Sequence, residues 1–504
     1  MRHMKVFRAI RRIWRLFKLF FVMAIGAILA VVVIGIIYLT SQSDLSVWHT
    51  ALLEEEFTAS SGVSTFEEYL ALEDRLFREL DDKVIRQTDW GSRDEINRFQ
   101  PGSVSDPGQW QRNWNRSFLL EAQNARASVL LLHGMSDSPY SLKSIGEALH
   151  ADGLNVLGLR LPGHGTAPSG LLDITWQDMF AATELGVRHL HEMAPDRPVY
   201  VVGYSNGAAL AVLYALRQVE DNRLPKVAAV SVLSPAIGIT PAAAYARWVI
   251  RLGHVLGLQK LAWNSVLPEY DPYKYSSFAV NAGYVTYQLT QQIQILLDEL
   301  TATGRLKEVS PIQGFSSVVD ATVLPQTLVS NLFNRLPANG SELVLFDINR
   351  AIADTPLFSF DANAILNPLK ADKTRGYAVQ LVMNASSGNP AVVRQSFAAG
   401  SSEPVETPLG QAWPSDIYSL SHIALPFQKS DPLYGDIRQP GISRLQLGSV
   451  ILRGEKSVFN VPAADLLRIH WNPFHEFMVG EIQRFFADAA GRPAGQEPGK
   501  PLDE

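Results

Sequence analysis

Residues 19–39 read LFFVMAIGAILAVVVIGIIYL, 21 positions without a charge. At about 1.5 Å per residue a helix of this length spans about 30 Å, the hydrocarbon thickness of a bilayer. A buried helix of a globular domain rarely runs so far without one charged residue. A secretory signal peptide has a shorter apolar region of about 7–15 residues and a small-x-small cleavage site. Only Ser41-Gln-Ser43 resembles one here. The pattern predicts an uncleaved transmembrane anchor over 19–39. Downstream, Phe66, Tyr69, Leu70, Leu72, Leu76, Phe77 and Leu80 recur at helical spacing. Turn signals follow at Gln100-Pro-Gly and Asp106-Pro-Gly. Residues 40–118 therefore read as a helical stalk or brace.

Beyond residue 118 short apolar runs alternate with helical periodicity. Strands are expected over 128–133, 154–160, 198–203 and 227–233, with helices over 138–150, 176–191 and up to Gln218 between them. Apolar strands alternating with helices predict an α/β domain, a mostly parallel sheet covered on both faces. The alternation stops near Pro235. Residues 241–308 are aromatic-rich, with no strand–helix pair, and read as a helical lid insertion. Strand patterns resume over 312–319 and 343–346. A second insertion is expected over 350–416 and a terminal helix over 473–490. The main domain is thus expected over 119–490, followed by a disordered Gly/Pro-rich tail over 491–504.

Composition narrows the function. The 504 residues are 47% hydrophobic and 19% charged, too apolar for a disordered polymer. The net charge of −6 is a poor match to a general nucleic-acid binder. There is no cysteine, which excludes disulfides, thiolate metal sites and a cysteine nucleophile. Residues 1–18 carry seven Lys or Arg and no acid, so removing them from the total of −6 leaves −13 for the remainder. This basic stub predicts a cytoplasmic N-terminus with the main domain on the far side. The architecture suggests a bacterial inner-membrane protein with its main domain in the periplasm.

The chemistry gathers at Gly203-Tyr204-Ser205-Asn206-Gly207, a G-x-S-x-G sequence between an expected buried strand and a helix. A nucleophilic serine needs a sharp turn that exposes its hydroxyl above the sheet, and flanking glycines permit the crowding. Acyl transfer also needs two backbone amides aimed at the oxyanion. Asn206, after the serine, is one candidate, and Met135 in His133-Gly134-Met135 is the other. His133 itself reads as a loop-holding residue.

Four segments, His133-Gly-Met, Leu161-Pro-Gly-His164-Gly-Thr-Ala-Pro168, Gly203 to Gly207 and Ser421-His422-Ile-Ala-Leu-Pro-Phe427, make the chain resemble an α/β-hydrolase of the monoacylglycerol lipase and carboxylesterase branch. The resemblance covers about 116–240, 310–349 and 417–490. It implies a sheet of about eight strands and a Ser–Asp–His triad in that chain order. It also implies ester hydrolysis without a metal or organic cofactor. On this reading Ser205 is the nucleophile, Asp320 the acid after the post-lid strand and His422 the base. Asp347 and Asp354 are rivals for the acid, and His470 and His475 for the base. His164 belongs to a motif that is structural in the family. Asp320 and His422 lie 102 positions apart, further than in compact members, an excess the second insertion would explain. The expected substrate is a small or lipid-like acyl ester, an acylglycerol or lysophospholipid. A serine peptidase on the same fold and an inactive binding module are the alternatives.

Overall fold

The computed structural model describes residues 2–91, 95–238, 251, 253, 255–352, 360–437, 445–448 and 467–491. Its centre is one ten-stranded sheet in the order β1-β3-β2-β4-β5-β8-β9-β10-β11-β12. The strands are β1 Phe118–Leu120, β2 Ala127–Leu132, β3 Leu154–Leu159, β4 Val199–Tyr204 and β5 Val227–Leu233, then β8 Ile312–Ser317, β9 Glu342–Phe346, β10 Ala378–Asn384, β11 Ala391–Phe397 and β12 Val405–Ala412. A separate small pair joins β6 Trp263–Ser265 to β7 Phe278–Ala279. From β3 to β10 the seven neighbouring strands run parallel, while β1, β11 and β12 are antiparallel additions at the two edges.

Strand alternation divides the core in two. Leu130, Leu132, Val201 and Val230 point to one face, against the helices Trp176–Met193, Asn206–Glu220 and Val280–Ala302. Val129, Leu131, Tyr200 and Val202 point to the other, against Lys143–Ala151 and His475–Ala490. Burial on both faces is why these strands read as unbroken apolar runs. The free edge at β12 carries Pro408 and a positive-φ Gly410. Both disfavour pairing with a further strand.

Several expectations need correction. The sheet has ten strands rather than eight, because a short β1 and the β10–β12 meander extend it. Residues 378–412 fell inside the expected second insertion, yet they form three strands of the main sheet. β10 is a buried apolar run paired parallel with β9, whereas the polar, partly exposed residues of β11 and β12 reflect an antiparallel edge that resembles loop sequence. Within the expected lid, positions 241–250, 252 and 254 lie outside the described residues. Its long helix Val280–Ala302 is a wall of the core, with Val285, Leu289, Ile293, Leu296 and Leu300 buried at helical spacing.

The first helix runs Arg2–Ser41. Among the described residues taken alone, no helix is long and apolar enough to cross a membrane. The side chains at 28, 31, 32 and 38, inside the expected anchor, lie outside the described residues. The tail beyond Gly491 is likewise outside it.

The segment expected as a brace is stitched into the sheet. Its helix Phe66–Leu80 starts at a capping box in which Thr65 Oγ1 accepts from Glu68 N at 3.2 Å and Glu68 Oε2 accepts from Thr65 N at 3.3 Å. Tyr69 Oη donates to Arg160 O at 2.6 Å. The Arg160 guanidinium, fully buried after β3, donates to Glu73 at 3.2 Å and to both oxygens of Glu56 at 3.0 Å. Glu73 also accepts from Ser117 N and Oγ. Removing one partner of such a buried network strands the others. Arg160→Met is therefore expected to cost about 3–5 kcal/mol of stability. Adding Glu56→Gln and Glu73→Gln should recover more than half of that loss. Urea unfolding followed by tryptophan fluorescence measures both.

Candidate active site

Ser205 stands where β4 turns into the helix Asn206–Glu220. Its backbone is at φ 53° and ψ −112°, a strained position for a residue with a side chain. The turn is clamped from β5: Ser205 N donates to Leu233 O at 2.9 Å, and Ala236 N donates to Ser205 O at 3.0 Å. The two glycines are there for space. A Cβ on Gly203 would come 2.5 Å from Ala208 Cα, and one on Gly207 would overlap the Leu132 carbonyl at the end of β2. The helix can start that close to the sheet only without those side chains.

The structure brings three predicted residues together. His422 begins a short turn, His422–Ala424, and its Nε2 lies 3.1 Å from Ser205 Oγ. Its Nδ1 lies 2.8 Å from Asp320 Oδ2. Asp320 Oδ1 accepts from Thr322 N at 2.8 Å and Val323 N at 2.9 Å. Asp320 and His422 are buried, and Ser205 is half-buried. Burial pushes the Asp320 carboxyl up. The facing His422, its hydrogen bond and the Val323 amide outweigh that and hold it below the usual carboxylate range. With Asp320 ionised, Nδ1–H is the donor and Nε2 the acceptor for the Ser205 hydroxyl.

Met135 and Asn206 flank the hydroxyl by backbone. Asn206 is the first residue of the elbow helix, so its N–H is among those without an intrahelical partner. Its side chain turns away, with Nδ2 3.5 Å from Met179 Sδ. Met135 follows Gly134, whose Cβ would stand 3.2 Å from Ser205 Cβ, so this loop lies directly over the serine. The positive end of the helix axis points at the same place.

The rivals are occupied elsewhere. Asp347 is paired with Arg350 and accepts from Ile348 N at 2.8 Å. Asp354 lies outside the described residues. His470 stacks on Tyr434, and burial takes it down to about 4. His475 sits 3.1 Å from Ser144 Oγ and is likewise lowered by burial to about 4. His133 accepts from Leu161 N at 3.0 Å and donates to Gly134 O at 2.9 Å, tying the loop after β2 to the one after β3. His164 Nδ1 donates to Pro162 O at 2.8 Å.

A cavity of about 560 Å³ opens beside His422, lined among others by Tyr418, Leu420, Leu467, Arg468 and Trp471. A smaller one of about 160 Å³ borders Tyr204, Lys274 and Asp271. Apart from Tyr204 of the elbow, sequence reading picked out none of these lining residues, which carry no motif of their own. Nor did it find Ser234, at φ 40° directly after β5. Its one sequence signal is a polar residue closing the apolar run 227–233.

Residues 123–303 match the family model described as serine aminopeptidase, S33. The match includes the elbow but neither Asp320 nor His422. A thermostable monoacylglycerol lipase of Bacillus sp. (strain H-257) is 31% identical over 134 residues, 26% of this chain and 52% of that protein. The chain thus spans about half the length of this relative. Among solved structures, the monoacylglycerol lipase of Paleococcus ferrophilus is 18% identical, covering 46% of this chain and 88% of its own, with a TM-score of 0.35. A structure reported for the metagenome-derived lipolytic enzymes LipS and LipT is 20% identical, with coverage of 46% and 87% and the same TM-score. The likeness to a monoacylglycerol lipase read from the motifs is shared by the Bacillus match.

Proposed function

We propose that this protein is a serine hydrolase of carboxylic esters, acting through Ser205, His422 and Asp320. The observation that carries the reading is the unbroken chain Ser205 Oγ, His422 Nε2, His422 Nδ1, Asp320 Oδ2 at 3.1 and 2.8 Å. His422 takes the Ser205 proton as Oγ attacks the ester carbonyl. The oxyanion is held by the amides of Asn206 and Met135. The C–O bond to the alcohol then breaks, and His422 returns the proton to the leaving oxygen. Water, deprotonated by His422, attacks the acyl-serine, and the acid leaves with Ser205 restored. No metal or organic cofactor enters any step.

The Bacillus relative is a monoacylglycerol lipase, which supports an acylglycerol or similar lipid ester as substrate. The test is fluorophosphonate labelling of the full chain in detergent, followed by a p-nitrophenyl ester chain-length series. Labelling with ester turnover is expected. A folded protein that neither labels nor turns over esters would leave the binding-module reading. The serine aminopeptidase family match favours one second reading, peptide hydrolysis. Amino-acid p-nitroanilides turned over faster than the matched esters would establish it.

The helix Arg2–Ser41 is the proposed membrane anchor, with its N-terminus cytoplasmic and the catalytic domain outside, at the periplasmic face of an inner membrane. Its support is the uncharged run of 19–39 and the exposure of Phe20, Val22, Met23, Ile34 and Ile37 along it. The end of this helix is tied to the body: Lys260 Nζ pairs with Asp44 at 2.8 Å, and Gln42 Nε2 donates to Trp263 O at 3.3 Å. The full chain is expected to stay in the membrane pellet after alkaline carbonate washing. Release into the supernatant would overturn the anchor and leave the hydrolase reading standing.

A further inference from the structure

Ser234 closes β5 and is completely buried. Its backbone sits at φ 40°, in the left-handed region where side chains are disfavoured. The cause lies on either side. Leu233 O accepts from Ser205 N and Ala236 N donates to Ser205 O, so residues 233–236 wrap the elbow. Ser234 N is also held, donating to Phe315 O of β8 at 2.7 Å. The elbow therefore imposes this conformation whatever residue stands there. Glycine would adopt it at the least cost. A serine accepts the strain, and its hydroxyl is the group it has in return.

That hydroxyl is buried beside the Asp320 carboxyl and closes no hydrogen bond in this structure. An ionised carboxylate has about four acceptor positions. Asp320 uses three, for Thr322 N, Val323 N and His422 Nδ1. A buried hydroxyl without a partner beside a carboxylate with a free position is a donor placed to close on it.

We propose that Ser234 is a positioning residue: its hydroxyl donates to Asp320 Oδ2 and fixes the carboxylate in the orientation that receives His422 Nδ1–H. The inference rests on the hydrolase reading above. The bond matters most when His422 carries the proton, because the imidazolium then pulls on Oδ2 and the hydroxyl keeps it from swinging. A donor on a carboxylate also lowers its basicity. Without Ser234 the carboxylate stabilises the imidazolium more, so His422 should hold its proton to higher pH. Besides His422, Asp320 faces Tyr204, whose phenol burial holds well above its ordinary range and hence neutral. Arg468, 3.5 Å from Thr322 Oγ1, is the nearby permanent cation.

The variants are Ser234→Gly, which removes the hydroxyl and relieves the backbone, and Ser234→Ala. Both are made in the full chain and read with a p-nitrophenyl ester. The expected result is a kcat lower by about 10-fold with KM unchanged, the size of one hydrogen bond to a charged group. The acidic limb of the kcat/KM profile should move to higher pH in both. On an Asp320→Ala background, Ser234→Gly should cost nothing more, because the acceptor is gone. Wild-type kcat and an unmoved acidic limb in Ser234→Gly would overturn the proposal, as would an undiminished 10-fold loss on the Asp320→Ala background. The hydrolase reading fails separately, if Asp320→Asn and Ser205→Ala themselves leave ester turnover intact.

Discussion

Ser205→Ala is expected to lower kcat for p-nitrophenyl esters by about 10⁶-fold and to abolish fluorophosphonate labelling, while the fold survives. The size follows from covalent catalysis. With no hydroxyl at the elbow there is no acyl-enzyme, and only the oxyanion donors and binding remain to speed hydrolysis by water. The fold should survive because the elbow is held by backbone bonds from Leu233 and Ala236, and by the space that Gly203 and Gly207 leave. Alanine keeps all of these. Labelling that persists in Ser205→Ala would place the nucleophile elsewhere. Circular dichroism and melting temperature, measured beside activity, separate lost chemistry from lost structure.

Asp320→Asn should reduce kcat by about 10⁴-fold with little change in KM. The carboxylate now accepts His422 Nδ1–H at 2.8 Å, which leaves Nε2 free to accept from Ser205. An amide can present an N–H to Nδ1 instead. The imidazole then carries its proton on Nε2 and cannot take one from the serine. Lost charge adds to the wrong tautomer, since the imidazolium of the transition state has no anion beside it. The environment makes the wild-type carboxylate dependable: His422 and the Val323 amide outweigh burial and hold it below its usual range. A kcat within tenfold of wild type for Asp320→Asn would shift the acid's role to another residue.

Much of this arrangement was legible before any coordinates. Buried parallel strands need apolar side chains on both faces, so β2 to β5 announce themselves as short apolar runs with helices between. The elbow needs two glycines around a serine, a local requirement written in five consecutive residues. Asp320 and His422 could be placed because each follows a recognisable strand or motif in the expected order. The edge of the sheet was not legible. β11 and β12 alternate and are partly exposed, with Pro408 and Gly410 in the last strand, so they resemble loop sequence. Helix Val280–Ala302 was misread for the opposite reason: its aromatic residues suggested a cover, while its apolar stripe builds the core.

The sequence by itself determined the sheet's centre and the sharp turn at Ser205, because each depends on patterns a few residues long, while Asp320 and His422 were named by resemblance and chain order, beside their rivals. Only the tertiary structure decided that β10 to β12 complete the sheet and that Arg160 binds Glu56 and Glu73 beneath the brace. The meeting of Asp320 with His422, across 102 positions, and the burial of Ser234 beside them are likewise tertiary facts. The reason is common to all of these. They join segments that are neighbours in space and strangers in sequence, and a side chain's partner across such a distance is chosen by the packing of the whole sheet, which no local pattern encodes.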